Sequence, residues 1–286
     1  MGDTTFGLLH PGEMGAAVGA CLTGRGYVVL WTPEGRSAAT VARAEAAGLT
    51  AAGSLADLAG RADVIVSVCP PHAALDVARQ VAGFAGVYVD ANAVSPATAR
   101  EVAGIVEAGG AAFVDGGIIG PPPAAPGDTR LYLSGGRAPE VGRLFEGTAL
   151  DARLVDRDDG PVGVVGSASA VKMAYAAWTK GTAALVLAAR GLARAEGVED
   201  TLLAEWALSQ PGLENRSARA ARSAAAKGWR WIAEMEQIAA AMAAAGLPEG
   251  FHQAAAEIYR RSRHAPAPTP EAVLGVLGRG TQDRSE

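Results

Sequence analysis

The sequence predicts two domains: an α/β domain with a doubly wound sheet over residues 1–159, and an all-α domain over 160–286 entered through a long connecting helix. Three observations carry this. Short apolar strands alternate with Ala-rich helical stretches from Thr5 to Ser134, which is the pattern of parallel strands joined by crossover helices. Beyond about residue 159 no segment reads as a strand. A chain of 286 residues also exceeds what one ordinary small core supports, and its composition, 49% apolar and 19% charged, is that of a globular protein.

The chain opens on Thr5-Phe6-Gly7-Leu8-Leu9, a short apolar strand. The turn His10-Pro11-Gly12-Glu13-Met14-Gly15 follows and leads into a small-residue helix from Ala16. A strand passing through a glycine turn into a helix is where a dinucleotide-binding βαβ unit offers helix N-terminal N–H groups to a pyrophosphate. The usual fingerprint has three glycines. Keeping Gly12 and Gly15 in register puts His10 in the first slot. Gly12 then lets the backbone approach the phosphates and Gly15 permits close helix–strand packing, while His10 adds a side-chain donor and Pro11 stiffens the turn. His10, Pro11, Gly12, Glu13, Met14 and Gly15 are therefore candidate cofactor residues.

Tyr27-Val28-Val29-Leu30-Trp31 reads as the second strand, bounded by Gly26 and Pro33. At its carboxyl end a carboxylate about 20 residues after the glycines would bind a ribose 2′-hydroxyl, and a basic residue would hold a 2′-phosphate. Thr32 occupies the acidic position and Pro33-Glu34-Gly35-Arg36-Ser37 follow. Arg36 beside the Ser37 hydroxyl suits a phosphate, so Thr32, Arg36 and Ser37 join the candidate cofactor residues and NADP(H) is favoured over NAD(H). Glu34 opposes that choice, and Arg36 also reads as a solvated loop charge.

Residues 38–47 form an Ala-rich helix ending at Gly48, and Ser54-Leu55-Ala56-Asp57 opens a brief helix like a capping box. Ala62 to Cys69 is a continuous apolar strand of the parallel kind. It stops at Pro70-Pro71-His72, on the sheet's carboxyl edge where ligands of such folds bind. Cys69 and Pro70 are candidate cofactor residues, whereas His72, with no carboxylate partner in view, reads as a loop residue. A helix over 73–82 leads to a strand at 86–90. Ser95 as N-cap and Pro96 at the first helical position then start a helix over 97–108. Asn92, at a strand's carboxyl end, can both donate and accept, so it suits a nicotinamide or substrate oxygen; it reads equally as a turn former. A strand at 112–115, a Gly/Pro loop over 116–126 and a strand at 129–134 follow, and Asp158-Asp159-Gly160-Pro161 closes the domain.

In the second half one helix runs from about 163 to 196. At about 1.5 Å per residue it exceeds roughly 45 Å, too long for a small domain to cover alone, so a partner subunit is expected against it. Gly197 ends it. Helices are expected near 200–210, 214–226, 228–245 and 248–263. Thr269-Pro270-Glu271 caps a last small helix, and the tail from Gly278 is expected to be loose. Lys172 lies near the start of the long helix on a face of Val, Ala and Ser. A lysine in an apolar cleft can have its pKa lowered enough to exchange protons near neutrality; on a bare helix it reads equally as a snorkelling surface lysine. Lys180 is the weaker candidate.

A net charge of −5 excludes nucleic acid and anionic membrane as the main partners. Cys21 and Cys69 show no metal-ligand spacing, so neither a disulfide framework nor a metal site is expected. The apolar segment near 171–190 is interrupted by Lys172, Lys180 and Arg190 and does not read as a membrane span. The N-terminus enters the first strand without a leader, so a soluble cytoplasmic protein is expected.

In their order these pieces resemble the β-hydroxyacid dehydrogenase superfamily, which includes 3-hydroxyisobutyrate and 6-phosphogluconate dehydrogenases and the imine reductases. The family's Gly-x-Met-Gly opening is matched by Gly12-Glu13-Met14-Gly15. Its Asp-x-Pro-Val-Ser-Gly-Gly substrate loop falls on Asp115-Gly116-Gly117-Ile118-Ile119-Gly120-Pro121. Its Gly-x-Gly-x-x-x-Lys-x-x-x-Asn motif falls on Gly166 to Lys172 and then Ala176. The resemblance implies a Rossmann-like first domain, Lys172 as the catalytic residue, and a homodimer whose active site is shared between subunits. Asn92, Ile119, Gly120, Ala176 and Trp178 are its implied substrate residues, with Trp229 and Trp231 as further pocket walls or packing residues. Ile119 stands where the family has Ser, and Ala176 where it has Asn. Both family residues grip polar groups, so the replacements imply a less polar substrate.

The reading that follows is an NADPH-dependent oxidoreductase acting on a small carbonyl or hydroxyl compound with Lys172 as general acid/base. An imine reductase is the rival within the class: retention of Lys172 argues against it, and loss of Ser and Asn argues for it. A non-catalytic NADPH-binding sensor or structural protein is the rival from another class, and Lys172 argues against it.

Overall fold

The computed structural model describes residues 4–156 and 163–277. The closing segment Asp158 to Pro161, the expected 159/160 boundary and the tail from Gly278 lie outside the described residues. The chain forms two compact units, Met1–Met173 and Ala174–Glu286.

The first unit runs β1 (Thr5–Leu9), α1 (Glu13–Thr23), β2 (Val28–Trp31), α2 (Ala38–Ala46), β3 (Thr50–Ala51), α3 (Leu55–Arg61), β4 (Val64–Ser67), α4 (Ala74–Gln80), β5 (Val87–Asp90), α5 (Pro96–Glu107), β6 (Ala112–Ile119), β7 (Thr129–Ser134), α6 (Ala138–Leu144) and β8 (Leu150–Leu154). The strands form one sheet in the order β3-β2-β1-β4-β5-β6-β7-β8. All neighbours are parallel except β6 and β7. The strand order reverses between β1 and β4, which opens a crevice at the carboxyl edge of a doubly wound sheet.

Period-two alternation divides the apolar side chains between two cores. Phe6, Leu8, Val29, Trp31, Val64 and Val66 face α1, α2 and α6, where they meet Val18, Leu22, Ala44 and Val141. Leu9, Leu30, Ile65, Tyr88 and Phe113 point the other way, towards Leu58, Val77, Val102 and Val106 of α3, α4 and α5. Two helices start as Ser54 and Ser95 predict, and α2 starts on Ser37, which the sequence offered as a phosphate hydroxyl. Ser37, Ser54 and Ser95 accept hydrogen bonds from the N–H groups of Thr40, Asp57 and Thr98, each a cap contributing about 1 kcal/mol.

One strand is longer than expected. β6 does not stop at Asp115 before a loop; it continues to Ile119 because Gly117 pairs with Tyr132 and Ile119 with Arg130 of antiparallel β7. That pairing is non-local and leaves no mark in a Gly-Gly-Ile-Ile run. Short β3, α6 and β8 likewise escape the sequence pattern.

α7 (Ser167–Ala195) begins in the first unit and continues into the second, which adds α8 (Glu199–Ser209), α9 (Leu213–Ala244), α10 (Gly250–Ser262) and α11 (Pro270–Leu277). α9 is a single helix of 32 residues, not the expected pair over 214–226 and 228–245. Gly228 at the expected break is buried, and a Cβ there would lie 3.4 Å from the Tyr259 ring of α10. Among the described residues no helix is long and apolar enough to cross a membrane, and no cluster of three His, Cys, Asp or Glu residues is placed to hold a metal ion.

Candidate functional site at the carboxyl edge of the sheet

The candidate phosphate turn follows β1. His10 adopts φ +66°, a left-handed conformation otherwise taken only by glycines among the described residues. A histidine there costs roughly 1 kcal/mol or more against glycine, although His is one of the residues enriched in that region. The backbone of the three-glycine fingerprint is thus kept with a side chain added. Gly12 donates its N–H to the His10 carbonyl at 2.8 Å. It caps α1 without a side-chain bond, and a Cβ on it would meet nothing within 4 Å. At Gly15 a Cβ would come within 2.4 Å of the His10 carbonyl oxygen and 3.5 Å of Val68, so only glycine lets α1 pass this close to the β1–β4 crevice. Pro11 is buried, Glu13 is exposed in the first turn, and Met14 packs on the first core.

The His10 ring is partly buried. Burial, and then the positive charge of Arg36, lower its pKa to about 4, so the imidazole is neutral near pH 7. Its Nδ1 and the Nε of Arg36 are both buried without a hydrogen-bond partner. Such orphaned donors or acceptors cost free energy unless something meets them. An open glycine cradle beside two unmet nitrogens fits an anionic ligand. Beyond β2, Thr32 is half-buried and Glu34 exposed. The Ser37 and Thr40 hydroxyls are 3.1 Å apart, and Arg43 donates to Thr40 Oγ1 at 3.0 Å. Thr40 and Arg43 escape a reading of the sequence alone. Their spacing from Arg36, one and two helical turns into α2, is the available signal.

Across the crevice, Cys69 is buried, and burial followed by the nearby Asp90 charge raises its thiol to about 12, so it stays protonated. Its N–H donates to Asn92 Oδ1 at 2.6 Å, and Asn92 Nδ2 donates to Ser67 Oγ at 3.1 Å. The Asn92 side chain, 2% exposed, spends these groups tying the end of β4 to the end of β5. Pro70 and His72 beside it are exposed.

Register sets four polar residues in one row at this edge: Ser67, Asp90, Asp115 and Ser134, on β4, β5, β6 and β7. All four are buried. Burial raises the Asp90 carboxyl to about 7 against the opposing Asn92 N–H bond, and the neighbouring Asp115 charge adds to the rise. β6 passes beyond the row, carrying Gly117 and Ile119 on the same face as Asp115. A Cβ at Gly117 would lie 2.7 Å from the Ala168 carbonyl oxygen and 3.1 Å from the Cβ of Lys172. The glycine therefore admits α7 to backbone contact and sets half-buried Lys172 against the strand. Ile119, 4% exposed, comes two residues further along that face. Gly120 takes φ +138°, with Asp128 O 2.5 Å from a Cβ there. The structure thus brings Lys172, Gly117 and Ile119 to the edge that carries the phosphate turn.

Ala176 and Trp178 belong to the second unit, the first buried and the second 67% exposed. Trp229 is exposed beneath the Arg230 guanidinium, 5.1 Å from its ring centre. Trp231 packs edge-on against Tyr259. Lys180 forms an ion pair with buried Glu234 and lies 5.7 Å from the Trp231 ring centre. That is a structural engagement, and it leaves Lys172 as the lysine at the sheet edge. Lysine is itself scarce: Lys172, Lys180 and Lys227 are the only lysines among 25 Lys and Arg residues. In a chain that uses Arg for ordinary cations, that scarcity is a further signal.

Comparison with known proteins agrees with this fold. Residues 5–146 match a family described as the NAD binding domain of 6-phosphogluconate dehydrogenase, and residues 193–262 match a domain of unknown function, DUF1932. An uncharacterized 28.5 kDa protein of Methanothermus fervidus is 30% identical over 175 residues; the match covers 59% of this chain and 63% of that relative. A conserved protein of unknown function, whose structure is described as similar to 3-hydroxyacid dehydrogenases, is 27% identical over 91% of this chain and 98% of its own, with a TM-score of 0.65. The 3-hydroxyisobutyrate dehydrogenase of Mycobacterium tuberculosis, solved with L-serine, is 21% identical over 96% of this chain and 99% of its own, with a TM-score of 0.68.

Proposed function

We infer from these matches that the chain is a member of the β-hydroxyacid dehydrogenase superfamily, and from that premise we propose that it is an NADP(H)-dependent oxidoreductase acting on a small carbonyl or hydroxyl compound. The observation that carries the reading is the meeting of Lys172 with β6 beyond the carboxyl edge of the sheet that also presents the His10–Gly15 turn.

When bound, the nicotinamide supplies or accepts the hydride. The residues for holding the cofactor gather around the unmet nitrogens of His10, Arg36 and Arg43. Gly12 and the following turn leave room for the pyrophosphate, neutral His10 offers a ring nitrogen, and Arg36 and Arg43 with the Ser37 and Thr40 hydroxyls suit a 2′-phosphate. Lys172 moves the proton: its ammonium donates to a carbonyl oxygen in reduction, and its amine takes the hydroxyl proton in oxidation. Ile119, two residues beyond Gly117 on the same strand face, puts an apolar side chain where the family has Ser, which favours a substrate without a second polar group there. A homodimer is part of the proposal. On α7, Tyr175, Trp178, Leu185 and Leu192 are exposed, and with Thr182 and Ala189 they follow the alternating three- and four-residue spacing of a helix–helix seam.

The test is turnover of a panel of hydroxyacids, ketones, aldehydes and cyclic imines, followed by cofactor absorbance. Lys172→Ala should bind NADPH nearly as the wild type does and lose on the order of 10²-fold in turnover. An unchanged rate removes Lys172 from the mechanism. Turnover confined to imines would favour the imine reductase reading, which Ile119 and Ala176 support. NADPH binding without turnover on any substrate would favour a binding protein.

A further inference from the structure

The start of α7 is held by side chains from two strands of the sheet, not by its own N-cap. Asp115 of β6 is fully buried. Its Oδ2 accepts the N–H groups of Gly166 and Ser169 and the Ser134 hydroxyl, each at 3.0 Å, and its Oδ1 accepts the Ser169 hydroxyl at 2.6 Å. Ser134 Oγ in turn accepts the Ala168 N–H at 3.0 Å. Three main-chain N–H groups at the helix start are therefore met by residues distant in sequence, and a buried carboxylate sits at the positive end of the helix.

Such an arrangement fixes both the rotation and the axial position of the first turn. Ser169 and Lys172 are three residues apart, hence on one face. The second restraint is Gly117, two residues beyond Asp115 on the same face of β6, which receives Ala168 and the Lys172 Cβ at backbone distance. Between them, Asp115 and Gly117 leave the Lys172 side chain one place from which to emerge.

We propose that Asp115, acting with Ser134 and Ser169, is the positioning residue for Lys172. The carboxylate never touches the substrate; it sets where the lysine amine begins. The proposal rests on the reading of Lys172 as the proton carrier, but its test does not.

The chain's three lysines make that test direct. Each is labelled competitively with trace acetic anhydride at about pH 8 in the full-length protein. Lys172 and Lys180 are then read by mass spectrometry against exposed Lys227 as internal standard. Ser169→Ala removes the shortest of the Asp115 bonds while keeping a good helix former. It should raise Lys172 labelling relative to Lys227 about threefold or more and leave Lys180 unchanged, and Ser169→Thr, which keeps the hydroxyl, should behave as the wild type. With a substrate found by the panel, kcat of Ser169→Ala should fall about tenfold with KM little changed. Unchanged Lys172 labelling overturns the proposal, as does a joint rise of Lys172 and Lys180, which would signal general loosening. A shifted label in Ser169→Ala alongside an unchanged rate in Lys172→Ala would support the positioning and refute the catalytic reading.

Discussion

Replacing Asp90 by asparagine tests the buried polar row without touching the proposed proton carrier. In the folded protein the Asp90 carboxyl is raised from 3.8 to about 7, first by burial and then by Asp115, against the Asn92 N–H bond that opposes the rise. A folded state that holds its proton more tightly than the unfolded chain loses stability as pH rises between those two values. At about 1.36 kcal/mol per pH unit, the loss is on the order of 4 kcal/mol between about pH 4 and pH 7. The amide introduced by Asp90→Asn keeps an oxygen to accept the Asn92 N–H, now at 2.8 Å, and cannot ionise. Urea denaturation of both proteins from about pH 4.5 to 8 should give curves that diverge with pH. The variant gains on the wild type as pH rises, most of the gap opening below pH 7. A gap that stays constant over that window would mean that Asp90 ionises normally, and that the row is wetter or better paired than its burial implies.

Two further outcomes follow from the proposed site and assembly. Arg36→Ala should weaken NADPH binding about 10- to 100-fold, the range expected from a hydrogen bond to a charged group, and leave NADH binding within a few-fold. Titration of tryptophan fluorescence with each cofactor measures this, and equal losses would refute the 2′-phosphate assignment. Leu185→Lys combined with Leu192→Lys puts two charges on the exposed seam of α7 and should convert a dimer to a monomer in sedimentation. A wild-type monomer, or a variant that stays dimeric, would refute the seam.

Much of the architecture is local chemistry written along the chain. Ser54 and Ser95 mark helix starts because an N-cap bond joins residues three apart. Gly12 and Gly15 mark the phosphate turn because a Cβ at Gly15 would meet the His10 carbonyl. Alternating strands and helices determine a doubly wound sheet because each strand must bury both faces. Lys172 is legible through its place in a motif. By contrast, His10 is a departure from the fingerprint whose meaning no sequence rule supplies; the fold shows it holding the glycine's own backbone conformation at φ +66°. The expected break between 226 and 228 rests on local propensity, and α9 runs unbroken through it with Gly228 buried. Asn92 reads equally as a ligand contact and as a turn former, and the fold shows its amide joining two strand ends. Asp115 reads only as the end of a strand and the first residue of the substrate-loop motif. Its four bonds reach β7 and α7, across 19 to 54 residues of sequence. Sequence determined this protein wherever the deciding interaction lies within a turn or two of the chain. Tertiary structure alone decided where buried polar groups find their partners, because a hydrogen bond depends on distance in space and leaves no period along the chain.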